Sequence, residues 1–333
     1  MKIIFAGTPA NAAATLQALL QSEMGLHQVV AVLTRPDAPV GRKRVITPSP
    51  VAVIAEAAGI PVIKTKRVDA ETTSALAAFG ADLGVIVAYG ALLNAEALAV
   101  AKKGWINIHY SLLPLWRGAA PVQNALLSGD KTTGVTVFQL DEGMDTGPTW
   151  LKVPAEVQPD ESAGELLQRL TGLGISALSQ VLPEIAAGLR QPEPQVIGDE
   201  PLAVKPTREA ARINFFDSAI HIERQVRAFN PEPVAYALMR EANSAAVATQ
   251  GGNHDQGESL RILTARALGA TDWASLGEGL EHTVGLVTIQ KNRVLVHCGQ
   301  GTLLELKEVQ PAGKKPMAAS DWARGLQNEV IFS

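Results

Sequence analysis

The stretch KIIFAGTP, residues 2–9, decides the fold of the N-terminal half. Its apolar run is typical of a strand that is buried on both faces, and Gly-Thr-Pro then ends the strand in a turn. Comparable runs rich in Val and Ile recur along the first third of the chain. They predict strands at Lys2–Ala6, Val29–Thr34, Leu83–Ala88 and Trp105–Ile108.

Segments with a helical spacing of apolar residues lie between these strands, at Asn11–Gln21, Val51–Ala58 and Glu71–Phe79. Strands that alternate with helices of this length form βαβ units, so we expect an α/β domain with a parallel-rich sheet. Further on, the pattern predicts strands at Gly134–Leu140 and Thr149–Val153 and one long amphipathic helix at Ser162–Leu189.

A nucleotide-binding domain is the first alternative for such a pattern. The turn after the first strand holds one glycine, Gly7, where a dinucleotide site needs G-x-G-x-x-G. Pro9 stands where the phosphate-binding turn would be, and the sequence has no Walker A motif. We therefore expect neither NAD nor ATP binding.

The 333 residues suggest two domains, at roughly 150 residues per domain. Four prolines between Pro192 and Pro206 favour an extended connector over a helix. Beyond it, short β-like runs between glycine-rich turns indicate a small β-barrel. The prediction is a first domain over 1–189, a linker over 190–206 and a second domain over 207–333.

The composition, with 47% hydrophobic and 19% charged residues, excludes a disordered chain. The single cysteine, Cys298, excludes an internal disulfide and a multi-cysteine zinc site, and no metal is expected. The longest apolar run, Leu83 to Leu93, has 11 residues against the ~20 of a membrane helix. We expect a cytoplasmic protein with no membrane partner, and nothing in the sequence demands more than a monomer. The net charge of −4 argues against a protein that coats nucleic acid non-specifically.

The most informative stretch is WINIHYSLLP, residues 105–114. Strand alternation places Asn107 and His109 on the same face, beside a turn that contains proline. Open α/β sheets build active sites at the carboxyl ends of their strands, which is where this turn lies. A structural histidine that bonds a backbone carbonyl is an equally good interpretation of His109 alone.

The loop DEGMDTG, residues 141–147, brings three acidic residues after the strand Gly134–Leu140. An amide, an imidazole and a carboxylate together suit the transfer of an acyl-type group to an amine. Asn107 would donate to the oxyanion, His109 would move a proton, and Asp145 would orient the imidazole or accept the proton of the amine. A serine nucleophile at Ser111 is disfavoured because G-x-S-x-G is absent, and the acidic loop lacks the spacing of an EF-hand.

These motifs resemble those of the 10-formyltetrahydrofolate-dependent formyltransferases. The matching residues are Asn107-x-His109, Ser111-Leu112-Leu113-Pro114, Arg117-Gly118-Ala119-Ala120-Pro121 and Asp141-x-Gly143-x-Asp145-Thr146-Gly147. The resemblance implies a Rossmann-like catalytic domain joined to a C-terminal OB-like barrel. It also implies that Asn107, His109 and Asp145 are catalytic. The same resemblance assigns the folate contact to Ser111, Leu112, Leu113 and Pro114.

Other motifs are similar to those of the branch of this family that formylates initiator methionyl-tRNA. They include Thr34-x-Pro36-Asp37, Ala88-Tyr89-Gly90, Arg227-Ala228-Phe229-Asn230-Pro231 and Gln310-Pro311-Ala312-Gly313-Lys314-Lys315. This implies transfer of the formyl group from 10-formyltetrahydrofolate to the free amino group of methionyl-tRNA, for translation initiation. The basic residues implied to contact tRNA are Arg42, Lys43, Arg44, Lys314 and Lys315.

Two departures and two alternatives accompany the resemblance. Tyr110 stands where the family usually has Gly or Ala, and Leu115 stands where a basic residue is common. A formyltransferase acting on a small amine, such as a nucleotide sugar, is the first alternative, and we expect such enzymes to resemble the N-terminal part of the chain alone. A non-catalytic folate- or RNA-binding module is the second.

Overall fold

The computed structural model describes residues 1–21, 27–41, 43–242, 257–269 and 283–333. They divide into two compact units. The first unit comprises Met1–Pro121, Lys131–Val157 and Leu166–Val204, and the second comprises Val122–Asp130, Gln158–Glu165 and Lys205–Ser333. Arg42, which is predicted to contact tRNA, lies outside the described residues.

The first unit is built on a seven-stranded sheet in the order β5-β2-β1-β6-β7-β8-β9. Its strands are β1 (Lys2–Gly7), β2 (Gln28–Thr34), β5 (Val62–Lys64), β6 (Leu83–Val87), β7 (Trp105–His109), β8 (Thr132–Gln139) and β9 (Thr149–Glu156), and a separate hairpin is formed by β3 (Ala38–Val40) and β4 (Val45–Thr47). The strands from β5 to β7 are parallel, whereas β8 and β9 are antiparallel to their neighbours. The predicted α/β class with a parallel-rich sheet is confirmed.

Six helices accompany these strands among the described residues, and at least three of them begin at a residue whose side chain caps the first turn. They are α1 (Ala10–Leu20), α2 (Pro50–Ala57), α3 (Ala70–Ala77), α4 (Ala95–Leu98), α5 (Pro121–Ser128) and α6 (Ala163–Ala187). The side chains of Ser49, Asp69 and Asn94 accept hydrogen bonds from the first turns of α2, α3 and α4. Ser49, which lies between Pro48 and Pro50, is therefore a helix cap.

Helix α6 is long and apolar enough to cross a membrane by length and composition alone. Its inward residues Leu170, Leu178 and Leu182 are fully buried in the protein. A buried core helix of a soluble protein satisfies the same criterion, so this is weak evidence for a membrane span. The predicted helix at Ser162–Leu189 agrees with the observed one within two residues at either end.

Strand β7 is held in place by Trp105, which is fully buried. Its indole lies against Gly84 of β6, where an added Cβ would come within 2.0 Å of the ring. The indole Nε1 donates to the carbonyl of Ala97 at 2.9 Å. The strand that carries Asn107 and His109 is thus anchored at its first residue by dense packing.

The second unit is an antiparallel barrel packed against helix α7 (Ala219–Ala228) and the short helix α8 (Ala319–Ala323). Its strands are β10 (Tyr236–Glu241), β11 (Glu258–Ala267), β12 (Val287–Gln290), β13 (Arg293–Cys298), β14 (Thr302–Pro311), β15 (Met317–Ala318) and β16 (Val330–Phe332). They pair in the order β12-β13-β14-β11-β10-β16. A bridge between Leu286 and Ile331 joins the two ends of this order. The predicted small OB-like barrel is confirmed.

Candidate active site

Asn107 and His109 lie on one face of β7, as strand alternation predicts. The side-chain oxygen Oδ1 of Asn107 is buried and has no hydrogen-bond partner among the residues that the structure describes. Leaving a buried amide oxygen unpaired costs about 1–3 kcal/mol. This cost is tolerated where the group serves a ligand, so Asn107 presents an acceptor that a substrate N–H can satisfy.

His109 is buried, and its Nε2 lies 2.8 Å from the backbone carbonyl of Trp116. Because a carbonyl oxygen only accepts hydrogen bonds, Nε2 must carry the proton. The neutral ring therefore has its free lone pair on Nδ1. This bond to a backbone carbonyl is the contact that the alternative, structural interpretation of His109 expects, and it also sets the tautomer that a proton acceptor at Nδ1 requires.

Asp145 faces that lone pair, with its Oδ2 at 3.7 Å from His109 Nδ1. The separation exceeds a hydrogen bond, but both side chains are largely buried, so the carboxylate interacts strongly with the ring whenever the ring is protonated. Burial lowers the pKa of His109 below its ordinary value, while the Asp145 carboxylate opposes the shift. The imidazole is therefore neutral at pH 7, and an imidazolium formed there would be stabilised by Asp145.

The backbone N–H of Gly118, rather than the imidazole, fixes the carboxylate of Asp145. Oδ2 accepts a hydrogen bond from the Gly118 N–H at 2.8 Å. Asp145 has a φ of 54° and Trp116 a φ of 60°, so both residues that flank the ring lie in the left-handed region. Such conformations cost about 1–3 kcal/mol for residues other than glycine and cluster at functional sites.

The turn from Ser111 to Pro114 is held by the antiparallel strands. Thr136 of β8 donates to the Ser111 carbonyl at 2.7 Å and accepts from the Leu113 N–H at 3.1 Å, and Lys152 of β9 donates to the Leu113 carbonyl. Ser111 and Leu113 are buried, and the Ser111 hydroxyl is bonded to the Leu115 carbonyl. Leu112 and Pro114 keep half-buried side chains that a ligand can reach.

Sequence reasoning did not find Thr136 or Lys152. One signal was available for Thr136, because an antiparallel neighbour of β7 must place some residue beside His109, and Thr136 is that residue. Lys152 lies on β9, which is separated from β7 by β8. Neither strand alternation nor a sequence motif indicates that it belongs to the site.

The two departures from the family pattern, Tyr110 and Leu115, each have a defined hydrogen-bond partner. The Tyr110 hydroxyl accepts a hydrogen bond from Asn11 of α1 at 3.1 Å, so the side chain packs towards the helices and does not narrow the pocket beside His109. Leu115 uses its backbone carbonyl to receive the Ser111 hydroxyl.

The basic residues predicted to contact tRNA are exposed where the structure describes them. Lys43 and Arg44 lie at the tip of the β3–β4 hairpin, and Lys314 and Lys315 lie in the turn after β14. The hairpin also exposes Val40, Val45 and Ile46, each by more than half of its surface. The exposure of these apolar side chains was not expected from the sequence.

Comparison with known proteins decides the family. A family model described as formyl transferase matches residues 1–182, and one described as formyl transferase, C-terminal domain, matches residues 205–327. A methionyl-tRNA formyltransferase of Acidothermus cellulolyticus is 44% identical over 98% of this chain and 97% of its own length. That of Paenarthrobacter aurescens is 43% identical over the whole of both chains.

The chain belongs to the methionyl-tRNA formyltransferase family. The family predicted from the motifs and the prediction of a formyl-transferring enzyme are confirmed. The many relatives near this level of identity, over the full length, leave the non-catalytic module without support.

Solved structures share the fold at lower identity. A sugar 3N-formyl transferase, WlaRD, superposes with a TM-score of 0.60 over 95% of this chain and 99% of its own, at 17% identity. A phosphoribosylglycinamide formyltransferase of Bacillus halodurans covers 57% of this chain with a TM-score of 0.50 and 20% identity. The expectation that small-amine formyltransferases match the N-terminal part alone is therefore wrong for the sugar enzyme. Sequence identity, and not the trailing domain, separates this chain from it.

Proposed function

We propose that this protein transfers the formyl group of 10-formyltetrahydrofolate to the α-amino group of initiator methionyl-tRNA. The observation that carries the proposal is the arrangement around His109, a neutral buried imidazole between a carbonyl and a carboxylate. Among the residues that the structure describes, no hydroxyl or thiol is hydrogen-bonded to this base, which suits direct attack by an amine.

The proposed reaction begins with the neutral amine of methionine attacking the formyl carbon. A carbon–nitrogen bond forms and the formyl oxygen becomes an oxyanion, to which the Asn107 amide donates through Nδ2. The amine proton passes to Nδ1 of His109, and the imidazolium is stabilised by Asp145. The oxyanion then collapses to a carbonyl, the bond from the formyl carbon to the folate nitrogen breaks, and the imidazolium of His109 gives its proton to that nitrogen.

Asn107 has a second part in this proposal. Its unpartnered Oδ1 can accept from an N–H of the attacking amine while Nδ2 points to the oxyanion. One side chain would thereby hold both reacting groups at the distance required for attack.

The folate donor is proposed to bind against the turn from Ser111 to Pro114. The half-buried side chains of Leu112 and Pro114 provide apolar contact. The backbone groups of Ser111 and Leu113 are already bonded to Thr136 and Lys152, so the turn is rigid before a ligand arrives. No metal is required by this reaction.

The tRNA is proposed to contact Arg42, Lys43 and Arg44 of the hairpin and Lys314 and Lys315 of the barrel. The hairpin follows β2, whose carboxyl end lies at the same sheet edge as the end of β7. Phosphates favour exposed cations of this kind, and binding by patches is compatible with the acidic net charge. The apolar side chains of the hairpin give it a surface for nucleotides as well as for phosphates.

We also propose that the chain works as a catalytic domain over 1–189, a linker over 190–206 and a tRNA-binding domain over 207–333. The family matches at 1–182 and 205–327 support these limits. Both proposed substrates are cytoplasmic, which supports a cytoplasmic protein, and the reaction needs one active site and hence no more than a monomer.

The decisive experiment supplies formyl-labelled 10-formyltetrahydrofolate together with charged tRNA and, separately, an amino nucleotide sugar. Label in methionyl-tRNA is the expected result. Label in the sugar would favour the small-amine alternative, and no transfer to either acceptor would contradict the proposed function.

The tRNA contacts are tested by the salt dependence of tRNA binding in Lys43→Ala and Arg44→Ala. Each lost phosphate contact should reduce the slope of log K against log salt by roughly 0.7–0.9 units, with folate affinity unchanged. Lys103→Ala is the matched control, since Lys103 is exposed and precedes β7 at the opposite edge of the sheet. Equal slopes in all three variants and the wild type would remove the hairpin from the interface.

A further inference from the structure

One side chain of the predicted linker, Gln195, is directed into the catalytic loop. Its Nε2 donates to the backbone carbonyl of Asp145 at 3.0 Å and to that of Gly147 at 2.6 Å. Both partners are carbonyl oxygens, which only accept, so the amide nitrogen is assigned by chemistry. Gln195 therefore bridges the two ends of the turn in which Asp145 lies.

That turn needs an external support. Asp145 has a φ of 54°, a conformation that costs a residue with a Cβ about 1–3 kcal/mol. Gly147 is packed so closely that an added Cβ would lie 1.9 Å from the Gln139 carbonyl. Gln195 bonds two backbone carbonyls of this strained and closely packed turn.

The backbone on both sides of Gln195 is itself fixed to the first unit. Glu193 exchanges two hydrogen bonds with Thr149, at 2.7 and 2.8 Å. Ala203 accepts from Ala119 at 3.0 Å and donates to the Arg117 carbonyl at 2.7 Å. The segment is thus tied to the chain directly before and after Gly118, whose N–H bonds the Asp145 carboxylate.

These contacts form a closed path around the carboxylate. The linker holds the Asp145 backbone through Gln195 and holds the Arg117–Ala119 segment through Ala203. The second of these segments presents the Gly118 N–H to Oδ2. Displacing the linker would therefore move the carboxylate and its hydrogen-bond donor together.

We propose that Gln195 is a positioning residue for Asp145, through which the linker sets the distance between the carboxylate and His109. The inference rests on the proposed function in one respect, namely that Asp145 assists formyl transfer. Gln195 does not touch the reacting atoms in this proposal. It acts through the loop.

The test compares Gln195→Met, which keeps the length of the side chain and removes the donor, with Gln191→Met as a control. Gln191 is an exposed glutamine four residues earlier on the same linker. A displacement of about 1 Å in a catalytic group can cost about 10²-fold in rate. We expect Gln195→Met to lower kcat by about 10- to 100-fold with KM for both substrates within twofold, and Gln191→Met to match the wild type.

Gln195→Glu is a second variant of the same shape, in which a carboxylate replaces the amide donor. It should lose at least as much kcat as Gln195→Met and retain the thermal midpoint of the wild type within a few degrees. Unchanged kcat in both variants would overturn the inference, and so would a loss expressed in KM alone.

A double-mutant comparison separates positioning from a general structural effect. If Gln195 acts through Asp145, then Gln195→Met in an Asp145→Ala background should change kcat by less than twofold. Additive losses would show that Gln195 acts elsewhere and would overturn the inference.

A readout that needs no activity keeps the two proposals distinguishable. Amide hydrogen exchange at Gly118, whose N–H bonds the Asp145 carboxylate, should accelerate at least tenfold in Gln195→Met and not in Gln191→Met. An inactive wild type with this acceleration would contradict the proposed function alone. An active wild type without the acceleration would contradict the role of Gln195.

Discussion

The two halves of the active site are held in place by different means. Asn107 and His109 lie on β7, a central strand whose register with β6 and β8 is set by backbone hydrogen bonds. Asp145 lies on a loop and reaches His109 through contacts with Gly118 and Gln195. The strand half of the site, Asn107 and His109, is therefore held rigid by the neighbouring strands. The loop half, Asp145, is held by a few hydrogen bonds.

The antiparallel direction of β8 makes this difference larger. Gln139, at the end of β8, pairs with Ile106 near the start of β7, whereas Thr136 pairs with His109. The loop after β8 therefore leaves the sheet at the end away from His109 and must fold back to bring Asp145 to the imidazole. A substitution of Asn107 or His109 should therefore remove a catalytic group. A substitution among the contacts that hold the loop should instead displace the Asp145 carboxylate.

The largest expected effect comes from His109, which lies on the strand half and faces Asp145 of the loop half. His109→Ala should lower kcat by about 10²–10⁴, the range of general acid–base catalysis. Because the carboxylate acts on the imidazole, His109→Ala and Asp145→Ala should be non-additive when combined. Steady-state kinetics of the two single variants and the double variant provide the measurement. Losses that multiply would mean that strand and loop act independently.

The next effect isolates the strand half. Asn107→Ala should lower kcat by roughly 10²–10³, about 3–4 kcal/mol, since the donor to the oxyanion is lost. Folate binding, measured by equilibrium titration, should change far less. A reduction in kcat below about tenfold in a folded variant would exclude Asn107 from the oxyanion site.

A smaller effect concerns the support of the turn after β7. Thr136→Val keeps the shape of the side chain and leaves the Ser111 carbonyl and the Leu113 N–H without a partner. The free energy of unfolding should fall by about 1–3 kcal/mol in denaturant titrations, and Thr136→Ser should restore most of it.

Thr133, on the same strand, provides the matched control for Thr136. Its buried hydroxyl has no partner among the described residues, so Thr133→Val should be neutral or slightly stabilising. Equal destabilisation by both valine substitutions would contradict the role of the Thr136 hydroxyl in holding the turn.

The smallest expected effect is that of the Asp145 carboxylate on the pKa of His109. The pKa of His109 is lowered by burial and opposed by Asp145, so its NMR titration should have a midpoint below 6.5. Asp145→Asn removes the opposing charge and should lower the midpoint further. A rise in this variant would show that the carboxylate does not act on the ring.

The sign of the accompanying stability change follows from linkage. The unfolded chain takes up the His109 proton near its ordinary pKa, and the folded chain takes it up at lower pH. This histidine therefore destabilises the protein as pH falls below about 6.5, and its contribution is absent above that value. Removing the imidazole in His109→Ala should flatten this part of the stability profile.

Much of the fold was predictable because the sequence repeats one pattern. Buried parallel strands need apolar residues on both faces, so Lys2–Gly7 and Leu83–Val87 are visible as continuous apolar runs. The strand Trp105–His109 was found one residue short, since the polar His109 ends the apolar alternation. The hairpin within the Arg35–Pro50 segment was missed because its three-residue strands expose apolar side chains that no core explains.

The sequence by itself determined the class of the two units, the pairing of Asn107 with His109 on one face, and the family. These depend on local periodicity and on residues close together along the chain. Tertiary structure alone decided the tautomer of His109, the approach of Asp145 to the imidazole and the contact of Gln195 with the Asp145 loop. Gln195 lies 50 residues beyond Asp145, whose carbonyl it bonds. Loop positions of this kind are set by long-range hydrogen bonds, and no local pattern of side chains encodes the partner at the other end.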